Sequence, residues 1–282
     1  MIEPIRKDEE LLQDIAEWGE QDSALHVWWL GQSGFLLKQG GSCFLFDPYL
    51  SDSLTTKYAA TDKPHVRMTA RCIDPGKLVG VREVTASHVH TDHLDGETLG
   101  PLAHANGGLR LYLPFPVRDV AKERLGDARA ALVGVTDDGH WHGDEWKVRG
   151  IAAKHNELRR DDYGRCHFLG FVVKRGPFTV FHSGDTLWHE GLVPELLREK
   201  CDLMLLPING NKPERRVAGN LNGTEAAALA KACGARMVVP CHYEMFGFNT
   251  ETPEEFETAC ERLDQPCMVM QCGGHLTMDA RS

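Results

Sequence analysis

The chain has 282 residues, with 31 Lys and Arg against 41 Asp and Glu, a formal net charge of −10, and 42% hydrophobic residues. That charge excludes a long nucleic acid as the main partner, because phosphate backbones need a basic footprint, but it leaves room for a small anion held by a few local cations. No apolar run approaches the roughly 18 residues of a membrane span, the charged stretch Met1 to Glu10 lacks a signal-peptide core, and nine scattered cysteines form no CxxC pair. A cytoplasmic protein with reduced thiols and no membrane attachment is expected.

The length suits one compact α/β unit, with residues 1–24 as a helical extension and 25–282 as the main domain. Apolar positions at Leu11, Leu12, Ile15 and Trp18 predict a helix within Ile5 to Gln21. Three strands follow, Leu25 to Leu30, Gly34 to Lys38 and Ser42 to Phe46, separated by glycine turns and closed by Asp47-Pro48. Glu83 to Ser87 reads as a strand, Leu94 to Leu102 as a short helix, Arg110 to Leu113 as a strand and Pro116 to Arg124 as a helix. Further strands are expected at Ala131 to Val135, Glu145 to Ala153, Cys166 to Lys174 and Phe178 to His182. The last third alternates: helix Leu192 to Lys200, strand Asp202 to Leu206, helix Thr224 to Cys233, strand Arg236 to Pro240, helix Pro253 to Leu263 and strand Cys267 to Gln271. Such a meander implies stacked sheets covered outside by helices.

The run His88-Val89-His90-Thr91-Asp92-His93 crowds three imidazoles and a carboxylate into one turn, the ligand types that hold divalent first-row metals. If the strand continues, His88 and His90 point to one side of it, while Asp92 and His93 open the helix that follows. His155, Asp185 and His242 each follow a predicted strand, at the kind of strand end where open sheets place ligand sites.

Taken with Trp29-Leu30-Gly31-Gln32-Ser33-Gly34-Phe35, Phe46-Asp47-Pro48 and Ser183-Gly184-Asp185-Thr186, this pattern resembles the metallo-β-lactamase superfamily over roughly residues 25 to 275. The resemblance implies a four-layer αββα sandwich. Leu206-Pro207-Ile208-Asn209-Gly210, Gly219-Asn220-Leu221-Asn222 and Val239-Pro240-Cys241-His242-Tyr243-Glu244 are similar to the L-ascorbate-6-phosphate lactonase (UlaG-like) branch. It further implies two divalent metal ions: one held by His88, His90 and His155, the other by Asp92, His93 and His242, with Asp185 bridging and Asp47 orienting a ligand imidazole. Manganese is favoured by the branch and zinc by intrinsic affinity, and iron also fits an all-nitrogen-and-oxygen set.

On this reading a hydroxide between two metals about 3.5–4 Å apart attacks a carbonyl. Asp92 orients the nucleophile and accepts its proton, and His182 donates to the oxyanion. Asn209, Lys212, Arg215 and Arg216, in the loop Asn209 to Gly223, are the expected binding residues for a small anionic metabolite. The function expected is a lactonase for a phosphorylated or acidic sugar derivative. The alternative is a phosphodiesterase for cyclic or short nucleotides. A non-catalytic binding module would need closed coordination. The resemblance also admits a homo-oligomer.

Overall fold

The computed structural model describes residues 1–143 and 145–281. Among them the strands are β1 (Leu25–Gly31), β2 (Gly34–Gln39), β3 (Ser42–Phe46), β4 (Val81–Thr85), β5 (Arg110–Pro114), β6 (Ala131–Val135), β7 (Lys147–Ala152), β8 (Leu169–Arg175), β9 (Phe178–His182), β10 (Leu203–Pro207), β11 (Met237–Cys241) and β12 (His275–Met278). They form two sheets, ordered β12-β1-β2-β3-β4-β5-β6 and β11-β10-β9-β8-β7. Both are mixed: β12 to β3 run antiparallel and β3 to β6 parallel, while β7 to β9 run antiparallel and β9 to β11 parallel.

Side chains alternate along a strand, and here both faces are covered. Val27, Trp29, Phe35, Leu37, Phe44 and Phe46 point from the first sheet toward Phe171, Val173 and Val180 of the second. Trp28, Leu30, Leu36 and Leu45 face the opposite way, onto the helices α1 (Asp8–Ala16), α3 (Gly96–Ala105) and α4 (Arg118–Leu125), while the short α2 (Ser53–Tyr58) packs apart from them through Leu54 against Tyr49 and Phe246. The outer face of the second sheet is covered by α5 (Leu192–Glu199), α6 (Gly223–Ala232) and α7 (Glu254–Leu263) through Leu192, Leu196, Leu229 and Phe256. Each such buried side chain contributes about 1.5–3 kcal/mol. The result is the four-layer α/β arrangement, helices–sheet–sheet–helices.

Three local expectations are corrected. The first helix spans only Asp8–Ala16; the chain then turns, and Trp18 stacks on His26 with ring centroids 4.0 Å apart. β4 ends at Thr85, so His88 and His90 lie in a loop rather than on a strand. Cys267 to Gln271 is not a strand: Cys267 makes a single bridge to Val238. The Gly273-Gly274 turn then carries the chain across to β12, which pairs with β1 in the other sheet. Gly273 has φ +78°, and a Cβ there would meet the Arg6 carbonyl at 2.2 Å, so this crossing requires glycine.

The topology positions the site. The pairings make β1, β3 and β4 run the same way in one sheet, and β7, β9 and β11 the same way in the other, and the side chains that follow their ends meet across the two sheets. Gln32, Asp47, the His88–His93 turn, His155, Asp185 and His242 follow these six strand ends. Among the described residues no helix is long and apolar enough to cross a membrane.

Candidate metal centre

The His88–His93 segment is wound by its own backbone. The N–H groups of His93 and Leu94 both donate to the His90 carbonyl, at 3.1 and 2.9 Å. α3 starts only at Gly96 and is capped by Asp95, whose carboxylate accepts from Ser51, Ser53 and Thr98. Asp92 and His93 are therefore free of the helix and turn toward His242.

Two clusters of ligand atoms result, each set lying within 4.8 Å: His88, His90, His155 and Asp185, then Asp92, His93 and His242. Asp185 touches both. Its Oδ1 is 3.3 Å from His93 Nε2, and its Oδ2 lies 3.6 Å from His155 Nε2 and 3.4 Å from His242 Nε2. The other nitrogen of several imidazoles is occupied from behind. His93 Nδ1–H donates to Asp47 Oδ2 at 2.8 Å, and His155 Nδ1–H donates to the Gly219 carbonyl at 3.0 Å. Asp47, wholly buried, also accepts from the Ser87 N–H and the Thr85 hydroxyl.

The residues fit a pair of cations. Among the described residues, His93 Nε2 and Asp185 Oδ1 are buried without a hydrogen-bond partner, although they face each other as an ion pair. His88 Nε2 and His90 Nδ1 face each other at 2.9 Å. Buried lone pairs converging in this way are costly unless something positive stands between them. The ligand chemistry, imidazole and carboxylate without thiolate, suits manganese, zinc or iron.

Charges within the centre divide the imidazoles into two kinds. Burial, reinforced by the neighbouring His93 and His90, holds His88 well below its ordinary pKa, and burial lowers His155 to about 4. For His93 and His242 burial also pulls downward, but the Asp185 and Asp92 carboxylates outweigh it; His93 is pushed well up and His242 to about 9. Burial pushes Asp185 upward, yet the same two imidazoles hold it well below the carboxylate range.

Above the centre lies a cleft of about 590 Å³, floored by His90, Asp92, His155, Asp185 and His242. Tyr58, His65, Phe246 and Phe248 form one wall, with His65 stacked on Tyr58 at 4.2 Å. Lys57, Lys63, Arg124 and Arg216 supply the cations that line it.

The remaining expected site residues lie elsewhere. His182 faces the interior between the sheets, stacked on Phe46 at 4.9 Å. Its Nε2–H donates to the Ser33 carbonyl at 2.9 Å and its Nδ1 accepts from the Gly184 N–H, so neither nitrogen is available to an oxyanion. Asn209 is buried and exchanges hydrogen bonds with Asn249 and Asn220. Arg215 is bound to Glu251 and to the Asn209 and Thr250 carbonyls, and Lys212 pairs with the same Glu251. Only Arg216 of this group reaches the cleft, where it pairs with Asp62 at 2.7 Å.

Two cleft residues and one buried neighbour were given no role by the sequence. Arg124 donates through Nη1 to the Val89 and Leu94 carbonyls at 2.6 and 2.8 Å, clamping the ligand turn. Among the described residues no carboxylate forms a salt bridge with it. His65 donates Nδ1–H to the Lys63 carbonyl at 3.0 Å. Gln32 is buried against Asp92 and His242. It lies in the Trp29–Phe35 motif at a strand end, which was the available signal.

Comparison with known proteins agrees with this geometry. Residues 43–243, well over half of the chain, match the family described as Beta-lactamase superfamily domain. A UPF0173 metal-dependent hydrolase of Methanosarcina mazei is 28% identical over 261 residues, covering 88% of this chain and 96% of that protein. Igni18, a metallo hydrolase from Ignicoccus hospitalis, superposes with a TM-score of 0.66 at 18% identity, over 92% of this chain and all of that one. Isothiocyanate hydrolase from Delia radicum gut bacteria gives 0.70 at 19% identity, over 90% of this chain and all of that one. These structures share the fold. The chain belongs to the metallo-β-lactamase superfamily.

Proposed function

We propose that the chain is a binuclear metal-dependent hydrolase that opens the lactone of a small acidic sugar derivative, of the L-ascorbate 6-phosphate kind. One observation carries this reading: seven imidazole and carboxylate side chains converge at and beneath the floor of a cleft that also holds an Arg124 side chain free of any carboxylate partner among the described residues. The size of the cleft suits a small metabolite rather than a polymer. The lactonase-like segments around Asn209, Asn222 and His242 point to the substrate class, and the hydrolase names of the relatives agree with the reaction type.

When bound, the cations supply Lewis acidity and lower the pKa of water. The chain's own groups do the rest. His88, His90 and His155, held neutral or open to the cleft, offer lone pairs on one side; Asp92, His93 and His242 offer theirs on the other. Asp92 serves to orient, because His93 and His242 hold its carboxyl far below the usual range against the opposing effect of burial, which makes it a poor proton store. His65 takes the proton-transfer role. Its Nδ1–H is committed to Lys63, which leaves the Nε2 lone pair to accept the proton that the attacking water sheds and pass it to the leaving oxygen. Arg124 offers its remaining guanidinium N–H groups to the substrate's phosphate or carboxylate.

The test is turnover of L-ascorbate 6-phosphate by the manganese- or zinc-loaded protein, beside a neutral lactone and a bis(p-nitrophenyl) phosphodiester. Preferential opening of the anionic lactone is expected. Cleavage of the diester alone would overturn the assignment.

A further inference from the structure

Gln32 lies in the two-residue turn between β1 and β2, buried, with φ +50°, a left-handed backbone that costs a side-chain-bearing residue about 1–2 kcal/mol. The surroundings hold it there. Its carbonyl accepts from Trp29 Nε1–H and from the His242 N–H, both at 3.0 Å, and Trp29 in turn stacks on Tyr243 at 4.5 Å. The turn after β1 is thereby fastened to the loop after β11. His242, at the other end of that fastening, is itself left-handed at φ +62°. Residues held in such conformations by an over-determined environment cluster at functional sites.

The side chain runs from this anchor into the second ligand cluster. The carboxamide nitrogen is 2.9 Å from Asp92 Oδ2 and 3.1 Å from His242 Nε2. A cation would claim the Asp92 and His242 atoms that stand beside this carboxamide, and an NH2 group left there would face a positive charge. A half-turn about the terminal torsion replaces nitrogen by the carbonyl oxygen without moving the rest of the side chain, and that torsion is soft. The spacing fits as well. Adjacent ligands on an octahedral ion with bonds of about 2.1 Å stand about 3.0 Å apart, matching 2.9 and 3.1 Å.

The geometry points to Gln32 Oε1 as a further protein ligand, beside the shared Asp185, of the cation held by Asp92, His93 and His242. This rests on the binuclear reading above and adds a neutral oxygen donor to that half of the centre. A neutral oxygen in place of a further imidazole favours a hard ion such as manganese at this position over the softer ions that prefer nitrogen. The two halves of the centre would then differ in affinity and in metal preference.

The experiment titrates manganese and cobalt into the metal-free full-length protein by calorimetry, with the cobalt visible spectrum recorded alongside. It compares wild type with Gln32→Met, which keeps length without the amide, and Gln32→Asn, which keeps the amide one methylene short and tolerates the left-handed backbone. Wild type is expected to take up two ions. Both variants are expected to bind the first ion as wild type does and the second at least about tenfold more weakly, with a changed cobalt spectrum for the second equivalent. Gln32→Glu, which retains an oxygen at the same reach, is expected to hold the second ion no more weakly than wild type. Second-ion affinity and cobalt spectrum unchanged in both Gln32→Met and Gln32→Asn would overturn the role of Gln32 and leave the binuclear centre standing. A wild type that takes up only one ion would overturn both.

Discussion

Asp47 Oδ2 accepts the Nδ1–H of His93 at 2.8 Å, with both side chains shut off from water. The bond fixes which nitrogen of His93 faces the centre and keeps that nitrogen basic. Asp47→Ala is expected to weaken metal binding by about 10–100-fold. It should also cost about 1–3 kcal/mol of stability, because the Ser87 N–H and Thr85 hydroxyl lose their acceptor. Calorimetric metal titration and urea denaturation measure the two effects; an unchanged metal affinity would contradict the orienting role.

The metal-free protein should be most stable near pH 6.5. His88 and His155 have folded pKa values below the unfolded value of 6.5, His155 at about 4 through burial, so the unfolded chain binds more protons and stability falls as pH drops below 6.5. His93 and His242 are raised, His242 to about 9 by the Asp185 and Asp92 carboxylates against burial. Their contribution is complete below pH 6.5 and is lost as pH climbs through about 9. Melting temperature against pH, with chelator and with manganese, checks this. The alkaline decline should shrink once manganese occupies the site, and an identical decline in both would count against the ion pairs.

His65→Gln is expected to lower kcat for an anionic lactone by about 10²-fold or more, while leaving metal content and melting temperature close to those of wild type. Its aromatic box of Tyr58, Phe246 and Phe248 does not depend on the imidazole proton. Wild-type kcat and pH profile in this variant would remove His65 from the proton transfer.

Arg124 and Arg215 should separate cleanly. Arg124→Met is expected to raise KM for a phosphorylated lactone by about 10-fold or more, equivalent to about 1.5–3 kcal/mol for a lost charged hydrogen bond, with a smaller effect on a neutral lactone. Arg215→Met should shift both substrates equally and lower the melting temperature, since its guanidinium binds Glu251 and two backbone carbonyls rather than the cleft. The opposite ranking would restore Arg215 as the anion site.

Much of the site was legible from residue type and strand ends. Imidazoles and carboxylates gathered at 88–93, 155, 185 and 242 serve little structural purpose, and the hydrophobic pattern placed each next to a strand. What the sequence hid was direction and company. His182 lies three residues before Asp185, yet strand alternation turns it inward onto Phe46. Lys212 and Arg215 look free until Glu251, from a distant loop, is folded against them. Arg124 carries no motif, and the motif around Gln32 does not single that residue out; each matters because tertiary packing brings it to the ligand turn or to His242. The strand expected at Cys267 to Gln271 was misread because an apolar run does not reveal which sheet, if either, it joins.

The most direct test is anomalous diffraction from crystals of the manganese-loaded protein, recorded at the metal edge. Two peaks are predicted, one within bonding distance of His88, His90 and His155 and the other within bonding distance of Asp92, His93 and His242, with Asp185 between them. A single peak, or peaks away from these seven side chains, would contradict the binuclear centre on which the proposed hydrolysis depends.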